Sequence, residues 1–136
     1  MITVYTDGGS RGNPGPAGTG VVIKDGDTVL EAFGAYLGIK TNNQAEYEAL
    51  LAGLERAAKH TDDQLAVVMD SELIIRQMNG QYKVKSPELK KLHHQAKALC
   101  ENFKNVAFSH TLREGNTQAD ALVNRAIDAR EAVAGL

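Results

Sequence analysis

Apolar residues follow two rhythms along the chain. Over Ile2–Thr6, Thr19–Lys24 and Thr28–Gly38 they are β-branched or tightly spaced and are broken by glycine- and proline-rich stretches. This predicts three strands joined as an antiparallel meander. Asp25-Gly26-Asp27 is the turn between the second and third. Beyond Lys40 the rhythm becomes helical: Ala45, Ala49, Leu50, Ala52, Leu54 and Ala57 share one face at about 3.6 residues per turn. That helix begins near Asn43, and Thr41, Asn42 and Asn43 are each chemically able to cap it. Gln64–Met69 reads as a fourth strand. SELIIRQM is a short helix, capped by Ser71 and stopped by Asn79-Gly80. Ser86-Pro87-Glu88 opens a helix running to about Phe103. Val106–Leu112 is a fifth strand, REGNTQ a loop, and Ala119 to about Ala134 a closing helix. Helical connections into the fourth and fifth strands suit parallel additions beside the meander. The expected architecture is α/β: one mixed five-stranded sheet, three antiparallel strands then two parallel, with helices on both faces, as a single domain over residues 1–136.

Composition narrows this picture in two respects. The single cysteine, Cys100, excludes an internal disulfide and a cysteine-rich zinc site, which with the absence of a basic leader or long apolar run suits a reducing cytoplasm and no membrane span. The net charge of −2 gives no global nucleic-acid signature, so a polyanion has to be met by a local patch or through metal ions.

Four acids carry the candidate chemistry. Asp7 and Asp70 fall at the C-terminal ends of predicted strands, where open α/β sheets place their ligands. Glu46 is expected in the first turn of the helix beginning near Asn43, and Asp120 in the first turn of the last helix. Two carboxylates at roughly 4–5 Å repel by several kcal/mol at an effective dielectric of about 20. A cluster of four is tolerable only with compensation, and oxygen-only ligands select Mg²⁺ or Mn²⁺ over zinc. Two such ions roughly 3.5–4 Å apart suit phosphodiester hydrolysis.

The blocks YTDGGSRGNPGPAG, TNNQAEYEAL, MDSELIIRQMNG and NTQADALVNRAID, in that order, make the sequence similar to type 1 ribonuclease H, in a short form without the basic handle. The resemblance covers nearly the whole chain. It implies a ribonuclease H-like fold and a metal-dependent endonuclease that cleaves the RNA strand of RNA–DNA hybrids to 5′-phosphate and 3′-hydroxyl ends. Asp7, Glu46, Asp70 and Asp120 take the positions of the family's metal-binding acids, with Asp7 shared between two ions. The backbone of Gly8 and Gly12 and the side chains of Ser10, Asn13, Asn42 and Asn43 are then expected along the substrate groove, with Thr41 near a DNA phosphate.

Three departures from the family pattern stand out. Only Gln81–Lys85 and then Lys90 and Lys91 stand where many members carry the handle, and Tyr82 replaces a tryptophan that packs along the DNA strand. Glu72 stands where well-studied members have a glutamine that contacts the hybrid. The loop LREGNTQAD lacks the histidine many members use, so Arg113, or Glu114, is the nearest replacement. His110 precedes that loop, and His60, His93 and His94 are expected on helix surfaces. Two other readings share these features: a catalytically silent module binding hybrids or double-stranded RNA, and an integrase- or resolvase-like nuclease. Cleavage of double-stranded RNA and a monomeric state are compatible with the sequence.

Overall fold

The computed structural model describes all residues, Met1–Leu136. Strands β1 (Ile2–Ser10), β2 (Gly15–Asp25) and β3 (Thr28–Lys40) form the meander and lead into helix α1 (Asn42–Ala57). Strand β4 (Gln64–Met69), helices α2 (Glu72–Met78) and α3 (Pro87–Cys100) and strand β5 (Asn105–His110) follow. A short 3₁₀ turn (Arg113–Asn116) enters helix α4 (Thr117–Ala129), and β6 (Val133–Ala134) ends the fold. The sheet order is β5-β4-β1-β2-β3-β6, with β4 parallel to both β1 and β5 and the other pairs antiparallel.

Strand alternation sorts the core onto two faces. Val4, Val21 and Ile23 pack with Tyr47, Leu50, Leu54, Ile74 and Ala96, so α1, α2 and α3 cover one side. Val22, one position out of phase, packs with Ala119 and Leu122 of α4 on the other. Thr41 caps α1 through a reciprocal pair: its hydroxyl accepts from the Gln44 N–H at 3.1 Å, and its own N–H donates to Gln44 Oε1 at 2.8 Å. Tyr47 is fully buried, and its hydroxyl donates to Gln77 Oε1 at 2.6 Å, tying α1 to α2. Tyr47→Phe strands a buried carbonyl oxygen and is expected to cost about 1–2 kcal/mol in a urea titration. An unchanged midpoint would mean the bond contributes nothing.

The expected mixed sheet with helices on both faces is present, with five differences in extent. The GGS and GPAG segments are strand rather than turn, because the β1–β2 ladder continues through Gly8↔Thr19 and Gly9↔Gly18 to Ser10↔Ala17. Only Arg11–Pro14 lies between them. A sixth strand is added, and the last helix stops at Ala129 instead of about Ala134. Arg130 turns left-handed (φ 54°), and the chain folds back so that the Gly135 N–H donates to Ala32 O at 2.9 Å on the open edge of β3. The third helix ends at Cys100, not near Phe103, and β5 spans Asn105–His110 instead of Val106–Leu112.

Candidate metal centre and active-site cleft

The acids converge because two strands part. Parallel pairing between β1 and β4 ends at Tyr5↔Val68, while β1 stays laddered to β2. Asp7 and Asp70 therefore stand two residues beyond the last shared rung, at the mouth of the gap. Asp7 lies inside β1, not at its end, since the glycines after it extend the strand. Helix α1 then delivers Glu46. With Thr41 as cap, Glu46 falls in the second turn instead of the first, so it is not an end-of-helix capping acid. It is buried, and the Gly8 N–H donates to its Oε1 at 2.7 Å. That contact needs glycine: a Cβ at Gly8 would lie 2.1 Å from the Ala45 carbonyl oxygen of α1.

Ligand-capable oxygens of Asp7, Glu46 and Asp70 all lie within 4.8 Å of one another. Asp120, in the first turn of α4, lines the same cleft of about 440 Å³ and adds its charge to the field at Asp7. Burial first, then the charges of Glu46, Asp70 and Asp120, push the Asp7 carboxyl up to about 9. Burial also raises Glu46, to about 7, against the lowering pull of hydrogen bonds from Gly8 and Ser71. Crowded all-oxygen donors, with Asp7 and Glu46 resisting ionisation, are the donor set a hard divalent cation relieves, so these residues fit Mg²⁺ or Mn²⁺.

Around the acids, the expected groove residues bind each other. The Ser10 N–H donates to Asn42 Oδ1 at 3.3 Å, and the Asn42 N–H donates to Asn13 Oδ1 at 3.0 Å. The Ser10 hydroxyl reaches the carbonyls of Gly12, of Gly15 at 3.2 Å and of Lys40 at 2.8 Å, pinning the end of β3 to the glycine turn. Gly12 takes a φ of 102° there. The Gly8 N–H is spent on Glu46, and Thr41 is spent on its cap. Asn43 is half-buried on the first turn of α1.

Outside the quartet, Glu72 is exposed and paired with Arg76 at 2.8 Å, which holds its carboxyl below the usual range. The same guanidinium sits 5.4 Å over the ring of the exposed Tyr82. Arg113 lies on the 3₁₀ turn, 3.6 Å from Asp120 and largely in solvent. His60 is at the surface as expected, but in the turn after α1 against Glu31 instead of on a helix, while His93 is half-buried on α3, edge-on to Tyr47 at 6.3 Å. His94 is exposed on α3.

Sequence reasoning missed three side chains. Asn116, buried before α4, donates from Nδ2 to Thr6 O at 2.9 Å, fixing the backbone beside Asp7. Arg11 and Asn124 line the acid cleft. Asn124 was legible, being four residues after Asp120 on the same helical face. Arg11 carries no such local signal.

Residues 5–126 match the family model described as "Reverse transcriptase-like". The protein named "Ribonuclease H" from Acidovorax sp. (strain JS42) is 33% identical, covering 94% of this chain and 95% of that protein. The chain belongs to the ribonuclease H family. The solved structure described as LC11-RNase H1 in complex with an RNA/DNA hybrid is 48% identical, with a TM-score of 0.91 over 96% of this chain and 99% of that one. "Bifunctional protein Rv2228c" of Mycobacterium tuberculosis (strain ATCC 25618 / H37Rv) is 48% identical over 94% of this chain. The chain spans 36% of the length of that mycobacterial relative. No helix of this ribonuclease H fold is long and apolar enough to cross a membrane.

Proposed function

We propose that the chain is an endoribonuclease that hydrolyses the RNA strand of RNA–DNA hybrids, leaving 5′-phosphate and 3′-hydroxyl ends. The observation that carries this is the meeting of Asp7, Glu46 and Asp70 within 4.8 Å, with Asp120 beside them in one open cleft. Asp7, Glu46, Asp70 and Asp120 would hold two divalent ions, Mg²⁺ with Mn²⁺ as the alternative. Bound there, the ions supply activation of the attacking water and stabilisation of the leaving oxygen. The protein's own part is positional. The Gly8 N–H holds the Glu46 carboxylate in place, and the Asn116 amide holds the strand under Asp7. Ser10, Asn13 and Asn42 form a hydrogen-bonded shelf at the cleft edge, suited to reading 2′-hydroxyls. Arg113 puts an exposed positive charge at the rim, where the family's loop histidine is missing. Tyr82, stacked on Arg76, offers an exposed ring to the DNA strand.

Labelled RNA–DNA, RNA–RNA and DNA–DNA duplexes, incubated with Mg²⁺ or Mn²⁺, test the reading. The expected result is cleavage of the RNA strand in the hybrid, with ends that a 5′-phosphate-dependent exonuclease accepts. Binding without cleavage in either metal would make this a silent hybrid-binding module, and DNA cleavage would make it a resolvase-like nuclease. Cleavage of RNA–RNA would widen the substrate range to double-stranded RNA.

A further inference from the structure

Two cationic side chains line the acid cleft, and they are differently placed. Arg113 faces Asp120. Arg11 stands at the far end, past Gly9 and Ser10, and reaches from the β1–β2 turn across to α4. Its Nη1 donates to Asp128 Oδ1 at 2.6 Å and its Nη2 to Asn124 Oδ1 at 3.2 Å. Asn124 is itself oriented, since its Nδ2 donates to the Asp120 carbonyl at 3.1 Å. Asp120, Asn124 and Asp128 are spaced four apart, so one face of α4 runs from the acids to the guanidinium.

We infer that Arg11 is a phosphate-contacting residue for the nucleic-acid strand that lies along β1 and α4, held on Asp128 until a phosphate displaces it. The inference rests on the proposed hybrid-cleaving function. The pair is built to be exchanged: the Arg11 side chain is 46% exposed and Asp128 67%, so solvent screens their attraction and little is lost on separation. A phosphodiester offers the planar guanidinium a bidentate anion in the same place. The cleft also needs such a charge. Its carboxylates repel a polyanion, and divalent ions offset that repulsion only at the quartet, not at the phosphates further along the strand.

Hybrid binding separates this role from a structural clasp. Fluorescence anisotropy with a labelled RNA–DNA duplex, on an Asp7→Asn background in Mg²⁺, gives affinity as a function of salt. Arg11→Ala is expected to weaken binding about 5- to 10-fold at low salt and to reduce the slope of log affinity against log salt by about 0.9, the signature of one lost phosphate contact. Asp128→Asn should bind as tightly as its parent or more so, because it frees Arg11 and removes a negative charge. In the cleaving enzyme, Arg11→Ala should raise KM more than it lowers kcat, with Arg11→Lys recovering part of the loss. Equal weakening by Arg11→Ala and Asp128→Asn, or an unchanged salt slope in Arg11→Ala, would overturn the assignment and leave the pair as a strut between turn and helix. A parent that binds no hybrid would instead overturn the proposed function, and this inference with it.

Discussion

In EDTA at pH 8, Asp7→Asn is expected to melt at a higher temperature than the unsubstituted protein, and the proposed hybrid cleavage in Mg²⁺ is expected to fall by a factor of about 10³ or more. The two effects have one origin. Asp7 is buried among three other acids, and its carboxyl is raised to about 9 from an ordinary value near 4. A group that holds its proton more tightly when folded stabilises the fold at low pH, and that stability is lost as pH rises through the folded value. The metal-free protein should therefore lose stability steadily from about pH 4 to about pH 9, with Glu46, raised to about 7, adding to the slope. Asparagine at position 7 carries no charge and removes the larger part of the slope. The gain at pH 8 is on the order of 2–4 kcal/mol, less than the full shift implies because neighbouring acids readjust. Millimolar Mg²⁺ should reverse the ranking, stabilising the parent by mass action and leaving Asp7→Asn nearly unmoved. Thermal melts of both proteins across pH, with and without Mg²⁺, measure all of this. If Asp7→Asn proves less stable than the parent in EDTA at pH 8, the crowding of charge is not what shapes the site.

The acids were legible because they sit in strong local patterns. Asp70 directly follows a six-residue, mostly apolar strand, and Asp120 opens a run, Leu122, Val123, Ala126 and Ile127, whose helical spacing is unambiguous. At Asp7 the local pattern is only partly right. The glycines after it look like turn residues, yet the β2 ladder carries them as strand, and what frees Asp7 is the loss of β4 as a neighbour. No local pattern reveals where one neighbour of a central strand drops away. Glu46 looked like a helix-start acid because three capping residues stood in a row. The capping box of Thr41 with Gln44 resolved that ambiguity and moved Glu46 one turn inward. Arg11 and Asp128 are 117 positions apart, and Asn116 and Thr6 110, so only the fold brings each pair together. A two-residue strand such as β6 is too short for alternation to register, and ARE before it reads as continued helix.

What sets the spacing of the quartet is the close approach of two helices to bare backbone, and Gly20→Ala is the sharpest probe of it. Gly20 faces Asp7 across the β1–β2 ladder. A Cβ there would lie 2.0 Å from the Ala119 carbonyl oxygen and 3.1 Å from Leu122 Cβ, both on α4. Neither backbone can yield locally: β2 is laddered on both sides, and the Ala119 carbonyl belongs to the helix's first turn. The helix itself must lift, and Asp120, the next residue, lifts with it away from Asp7. The expected cost is roughly 3 kcal/mol or more, as for other overpacked cores, a fall in melting temperature of about 10 °C or more. Gly9→Ala is the matched comparison, because its Cβ would meet only Val123 Cγ1 at 3.5 Å, an ordinary contact, and its stability should change by less than about 1 kcal/mol. Measured well below its melting point, Gly20→Ala should also cleave hybrid at least about 10-fold more slowly and require more Mg²⁺ for half-maximal rate. A Gly20→Ala protein that is destabilised yet keeps the parent's Mg²⁺ requirement would show that Asp120 reaches the ions from a displaced helix, and that the glycine serves packing alone.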